Sequence, residues 1–332
     1  MQVAEKTPDP VDFDDVAALV SDDMDAVDRL ISASLASDVA LVSQVSEYIV
    51  MSGGKRLRPL IVLLAARALG YKGEQHVRAA AIIEFIHTAT LLHDDVVDSS
   101  DRRRGKDSAN TVFGNQASVL VGDFLYSRSF QMMVDIDDMR VMQILADATN
   151  TIAAGEVQQL MNIHDPDTTE DDYQQVIYRK TAKLFEAGAQ IAAALARRDT
   201  ADEAAMIEYG RRLGTAFQLV DDALDYSASA DELGKNLGDD LAEGKATLPL
   251  IYAMREGSDA QREVIRKAIL EGGLDQMDEI QAIIRDTRAL EYTAAKAREA
   301  ADIAISSINH IPDSDYRRAL ASLAEFSVQR RS

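Results

Sequence analysis

One acidic pattern occurs twice in this chain, as Asp94-Asp95-Val96-Val97-Asp98 and as Asp221-Asp222-Ala223-Leu224-Asp225. Each copy follows an apolar run of helical character, Ala80 to Leu92 and Leu213 to Val220. On a helix, residues four apart stand almost above one another, so Asp94 faces the same way as Asp98, and Asp221 the same way as Asp225. At a separation of about 5 to 6 Å and an effective dielectric near 20, each pair repels by about 3 kcal/mol. Such repulsion beside a core calls for compensation. Two carboxylate clusters on separate helices point to a shared cation site, and Mg²⁺, which takes oxygen ligands and favours phosphate, is the natural occupant.

Spacing alone is a weak argument, because 56 of the 332 residues are acidic. About one or two chance matches to acid-acid-x-x-acid are expected at that density, and Asp239-Asp240-Leu241-Ala242-Glu243 is counted as one. The two all-Asp copies differ from it in following apolar helical stretches rather than lying on a polar helix face.

Residues 13–332 are expected to form one all-α domain, a helical bundle around a deep cavity, and residues 1–12 a loose acidic lead-in. Hydrophobic residues make up 47% of the chain, enough for a sizeable core. Ala, Leu, Ile, Val and Met dominate, Pro and Gly are scarce, and a 3.6-residue period recurs along most of the chain. Helices are expected at roughly 13–34, 39–51, 59–69, 76–97, 117–133, 139–161, 169–197, 201–226 and 248–256, with more to the end. Strand signals are weak throughout. The net charge of −21 argues against a nucleic-acid partner. The absence of Cys excludes disulfides and thiolate chemistry and suits a cytoplasmic location. The best apolar run, Leu60 to Leu69, is interrupted by Arg67 and is too short to span a bilayer. The first residues lack the basic start and apolar stretch of a secretion signal.

Two basic groups flank the first acidic helix. Gly53-Gly54-Lys55-Arg56-Leu57-Arg58-Pro59 opens a helix with three cations, exposed backbone and Pro in the first turn. Arg102-Arg103-Arg104-Gly105-Lys106 follows the first Asp cluster within one loop. Both suit phosphate oxygens, and Arg in particular presents a planar fork to them. Solvated loops relieving local negative charge are the bland alternative for each alone. Lys180-Thr181, Gln218, Lys235 and Lys245 are smaller signals that individually read as surface, and His87 lies near the Asp94 face. His76, His164 and His310 show no constellation.

Together these residues resemble the trans-isoprenyl diphosphate synthases over about Tyr48 to Tyr252. The carrying segments are GGKRLRP (Gly53 to Pro59), HTATLLHDDVVDSSDRRRG (His87 to Gly105), GNQASVLVGDFLYSRSFQ (Gly114 to Gln131), KTAKLFEAG (Lys180 to Gly188), FQLVDDALDY (Phe217 to Tyr226) and GKNLGDDLAEGKATLPL (Gly234 to Leu250). The first motif spaces its paired Asp and third Asp by two residues, which is similar to the bacterial long-chain enzymes that make quinone side chains. The resemblance implies a homodimer, two or three Mg²⁺ ions, and repeated condensation of isopentenyl diphosphate onto farnesyl or geranylgeranyl diphosphate, to about C40 to C50. The product would pass to membrane enzymes.

By the same resemblance Asp94, Asp98 and Asp221 ligate Mg²⁺ directly, and Asp95, Asp222 and Asp225 act as ligands or support them. Arg103, Lys180, Lys235 and Lys245 would hold the allylic diphosphate; Lys55, Arg58, His87 and Arg104 would hold isopentenyl diphosphate; Thr181 and Gln218 would line the carbocation. Arg102 has no clear counterpart, and Glu156 and Gln159 stand where short-chain relatives commonly show Gln and Asp. Arg330, following Phe326, would help to close the entrance. Positions 89 and 90, bulky aromatics in short-chain relatives, are Ala89 and Thr90 here, which implies a long product. Met133 and Leu145 are candidates for its distal stop. A shorter-chain synthase is the nearest alternative. A terpene cyclase would have no use for Lys55, Arg58 and Arg104, and a non-catalytic subunit would show eroded Asp motifs.

Overall fold

The computed structural model describes residues 13–50, 53–227, 238–273 and 275–329. In chain order the helices are α1 (Phe13–Ala18), α2 (Ser21–Ser34), α3 (Ala40–Val50), α4 (Leu57–Ala68), α5 (Gln75–Val97), α6 (Ala109–Phe113), α7 (Asn115–Ile136), α8 (Met139–Asn162), α9 (Glu170–Ile177), α10 (Lys183–Leu195), α11 (Thr200–Ser227), α12 (Asp239–Ala242), α13 (Leu248–Glu256), α14 (Asp259–Glu271), α15 (Met277–Asp286), α16 (Ala289–Ser307) and α17 (Asp315–Gln329). One π-helical turn, Tyr178–Ala182, joins α9 to α10. The all-α expectation holds. Among the described residues no helix is long and apolar enough to cross a membrane.

Long helices with little polarity on any side belong inside a bundle, and α4, α5 and α10 are such helices. Ile61 to Ala66, Ala79 to Phe85 and Leu184 to Ala194 are buried almost without interruption. They pack against one another and against α7, α8 and α11. A second apolar cluster, including Leu248, Leu250, Ile265, Ile280 and Ile284, joins α13 to α16 and carries the segment that follows the second acidic motif. The acidic ends of α5 and α11 emerge from this apolar frame.

Three features depart from the expected pattern. The single stretch expected over 13–34 is two helices, parted at Leu19-Val20. The stretch over 169–197 is broken by the π turn. Arg102–Arg103 and Lys106–Asp107 pair as an antiparallel hairpin. Its turn residues Arg104 and Gly105 both have positive φ, 52° and 76°, the left-handed geometry that suits a two-residue hairpin loop. Two-residue strands leave no period for a sequence to show.

Candidate active site

A cavity of about 800 Å³ lies at the centre of the bundle. Its acidic wall comes from α5 and α11. Asp94 projects from the last turn of α5, and Asp98 caps that helix through its backbone N–H on the Asp94 carbonyl at 2.8 Å. Asp221, Asp222 and Asp225 line the cavity from α11. Asp95 is fully buried and does not line the cavity; Arg103 Nε and Nη2 both donate to its Oδ1 at 2.7 and 2.6 Å. Its Oδ2 is buried with no hydrogen-bond donor.

Two lysines pair with the acidic end of α5. The π turn adds a residue to one helical turn and sets Lys180 and Thr181 on the cavity wall. This needs a close approach by α8: a Cβ on Gly155 would stand 2.9 Å from the Lys180 backbone nitrogen. Lys180 Nζ lies 2.7 Å from Glu156 and 3.6 Å from Asp94. Lys245 Nζ lies 3.0 Å from Asp98 and also contacts Glu243. Burial opposes both lysine charges, but the surrounding carboxylates outweigh it and raise both pKa values, so both stay protonated.

The carboxylates show the opposite strain. Burial, helped by Asp240 and Asp221, pushes Asp222 up to about 8 against the hydrogen bonds it accepts from Tyr173 and Gln218. Tyr173 donates to Oδ2 and Gln218 to Oδ1, the latter at 2.8 Å. Burial also raises Asp94, with Asp98 adding to it, and pushes Glu156 up to about 7, with Asp94 adding to it. The Thr181 hydroxyl donates to Gln218 Oε1 at 2.9 Å, tying the π turn to α11. Among the described residues no three carboxylate or imidazole side chains are gathered closely enough to surround one ion. Lys180 and Lys245 hold Asp94 and Asp98 instead.

The cavity is also lined by cations that include Lys55, Arg56, Arg58 and Arg104. Arg58 lies 4.4 Å from the centre of the Phe185 ring, and its Nη1 is 3.2 Å from His87 Nε2. Burial, then Arg58 and three further arginines, hold His87 well below its ordinary pKa. The ring is neutral and Nε2 can accept from Arg58. Arg56, at φ 48° before α4, pairs with Glu84 at 2.7 Å. Arg104 donates to the Gly53 carbonyl, which brings the two basic loops together. Lys55 lies 5.1 Å from the centre of the Phe326 ring.

Most residues anticipated from the sequence therefore meet at one cavity. Lys235 and Arg330 lie outside the described residues. Asp95 does not line the cavity. Neither do Ala89, Met133 or Leu145, which are at most 1% exposed within the core, whereas Thr90 does. Around these three residues the interior is packed, since unfilled apolar space loses contacts on every side. Arg102 is exposed and donates to the Gly105 carbonyl. The acidic match dismissed as chance is part of the site: Asp240 lines the cavity, and its backbone N–H donates to Asp225 at 3.3 Å. Tyr173 and Glu243 were not anticipated. Tyr173 sits 49 positions from Asp222 with no local sign of the contact.

An all-helical domain with two carboxylate clusters and two sets of cations around one cavity is of the isoprenoid-synthase type. The polyprenyl synthetase family model matches residues 39–287. The chain is 53% identical over 326 residues to the octaprenyl diphosphate synthase of Haemophilus influenzae, covering 98% of this chain and 99% of that protein. It is 46% identical to the all-trans-nonaprenyl-diphosphate synthase of Rhodobacter capsulatus, over 96% and 99% of the two chains. Among solved structures, the polyprenyl synthase of Caulobacter crescentus complexed with calcium and isoprenyl diphosphate superposes with a TM-score of 0.94 at 43% identity, over 98% and 100% of the chains. The chain belongs to the polyprenyl synthetase family. Its activity is that of a long-chain trans-polyprenyl diphosphate synthase, a prenyltransferase.

Proposed function

We propose that this enzyme extends farnesyl or geranylgeranyl diphosphate with isopentenyl diphosphate to an octaprenyl to decaprenyl product, with an allylic diphosphate at the acidic wall and isopentenyl diphosphate at the arginine wall. The observation that carries this reading is the presence of two cation sets in different company around one cavity. Lys180 and Lys245 pair with Asp94 and Asp98 of the first Asp cluster, and Arg58 and Arg104 pair instead with His87 and the Gly53 carbonyl.

The carboxylate set fits a hard divalent cation. Six Asp side chains line one cavity, and Asp94 and Asp222 are both driven toward protonation. Asp94, Asp98, Asp221, Asp222 and Asp225 would hold two or three Mg²⁺ ions, which supply Lewis-acid stabilisation of the departing diphosphate. Lys180 and Lys245 orient that diphosphate and share its charge as the allylic C–O bond breaks. Thr181 and Gln218, already hydrogen-bonded to each other, face the developing carbocation. Arg58 orients isopentenyl diphosphate for attack by its alkene, and neutral His87 keeps Arg58 in place by accepting from it. The proton lost from the new bond goes to the released diphosphate, since His87 is committed to Arg58.

A homodimer is part of the proposal. Leu120, Phe130 and Val134 on α7 and Met139, Val157, Leu160 and Met161 on α8 are exposed, an apolar concentration on two successive helices that a second copy would cover. The enzyme is proposed to be cytoplasmic and to pass its product to membrane enzymes.

Substrate-specific kinetics test the two-wall assignment. Arg58→Ala should raise KM for isopentenyl diphosphate roughly thirtyfold, as the loss of a charge-assisted contact of about 2 kcal/mol implies, and leave KM for farnesyl diphosphate unchanged. Lys180→Ala should do the reverse. An equal loss for both substrates in both variants would count against separate sites.

A further inference from the structure

We infer that His164, outside the cavity and not among the residues assigned a role above, is the positioning residue that fixes Lys245 over the first Asp cluster. The inference rests on the reading of Lys245 as a ligand of the allylic diphosphate. His164 follows the end of α8 and joins three segments distant in sequence. Its backbone N–H donates to the Gly244 carbonyl at 2.9 Å. Its ring Nδ1 lies 2.8 Å from the Ile269 carbonyl near the end of α14. A carbonyl can only accept, so Nδ1 carries the hydrogen and the tautomer is set.

The imidazole also packs closely against Gly244. A Cβ at that position would stand 2.3 Å from His164 Nδ1, and Gly244 has φ of 73°, so only glycine admits the ring without strain. His164 itself adopts φ of 59°, an unusual backbone state for a non-glycine residue. A strained residue, a glycine that accommodates its ring and two hydrogen bonds thus converge on the turn immediately before Lys245. From that turn Lys245 reaches Asp98 at 3.0 Å, with its backbone N–H on the Asp240 carbonyl at 2.8 Å. Without the imidazole, the turn loses its tie to α14 and the cover over Gly244, and the ammonium group at its end is no longer fixed relative to α5.

A double-mutant cycle on the full-length enzyme tests this. His164→Ala should raise KM for farnesyl diphosphate by about five- to tenfold, the cost of a lost hydrogen bond and its packing, with KM for isopentenyl diphosphate unchanged. His164→Asn, which tolerates a left-handed backbone and presents an amide donor, should recover most of the loss. In a Lys245→Ala background, His164→Ala should add less than about twofold, because residues acting through one another are not additive. Should His164→Ala not fold, His164→Phe keeps a ring against Gly244 without the donor and carries the same comparison. An equal penalty in both backgrounds, or equal losses for both substrates, would overturn the inference. An unchanged farnesyl KM in Lys245→Ala would overturn the reading beneath it as well.

Discussion

Removing the Tyr173 hydroxyl should make metal binding more steeply pH-dependent. Tyr173 is buried and donates to Asp222 Oδ2, while Gln218 holds Oδ1. Both bonds favour the carboxylate, yet burial and neighbouring acids still push Asp222 up to about 8. Tyr173→Phe removes about 1.5 kcal/mol of that support, which is about one further pH unit. If Asp222 must be ionised to bind Mg²⁺, apparent affinity is divided by one plus the ratio of protonated to ionised carboxyl. At pH 7 this factor is about 11 with the residue at about 8 and about 100 one unit higher, so the variant should bind Mg²⁺ about tenfold more weakly. At pH 9 the factors are about 1.1 and 2, and the gap closes to about twofold. Isothermal titration of the metal-free enzyme with Mg²⁺ at both pH values measures this. A penalty that is absent, or that stays the same from pH 7 to pH 9, would refute the argument.

Asp222→Asn should stabilise the metal-free protein at pH 8. The folded-state pKa of Asp222 lies above its unfolded value of 3.8, so the native state holds a proton that the unfolded state releases and stability falls as pH rises from about 4 to 8. Thermal melts in EDTA should show a gain of about 2 °C or more at pH 8 and little change at pH 4; equal shifts would speak against it. Asp94→Ala should lower turnover by about three orders of magnitude or more, on the scale of losing a preorganised electrostatic group, without lowering the metal-free melting temperature. Near-normal turnover would remove Asp94 from the metal site. Thr90→Phe should shorten the product toward geranylgeranyl length, since Thr90 lines the cavity. Ala89→Phe, at a site with no exposure, should instead cost about 1–3 kcal/mol of stability through overpacking. Product chromatography and thermal melts separate the two outcomes.

The sequence disclosed what local periodicity and charge encode. The helix over Leu248–Glu256 was read with the bounds it has, and the helices bearing both Asp clusters within a residue or two. Amphipathic pattern and apolar runs are properties of a segment, so they survive without tertiary knowledge. Contacts across the bundle are not. Tyr173 meets Asp222 and His164 meets Ile269 across 49 and 105 positions, with nothing local to signal either. The π turn that presents Lys180 depends on how closely Gly155 lets α8 approach, which is a packing event. Asp240 was set aside because its short helix is polar, and it enters the site only through the turn that brings it against Asp225. The path of the growing chain was the least legible part. Ala89 and Thr90 are neighbours in sequence, but on a helix they point in different directions, and only Thr90 meets the cavity.

The most direct test of the account is the length of the product made by the purified chain alone. Labelled isopentenyl diphosphate, farnesyl diphosphate and Mg²⁺ are supplied together, the products are dephosphorylated, and the alcohols are sized by reverse-phase chromatography. A single dominant alcohol of octaprenyl to decaprenyl length is expected, dependent on Mg²⁺ and on both substrates. Products ending at geranylgeranyl length, or a cyclic hydrocarbon formed from farnesyl diphosphate alone, would contradict it.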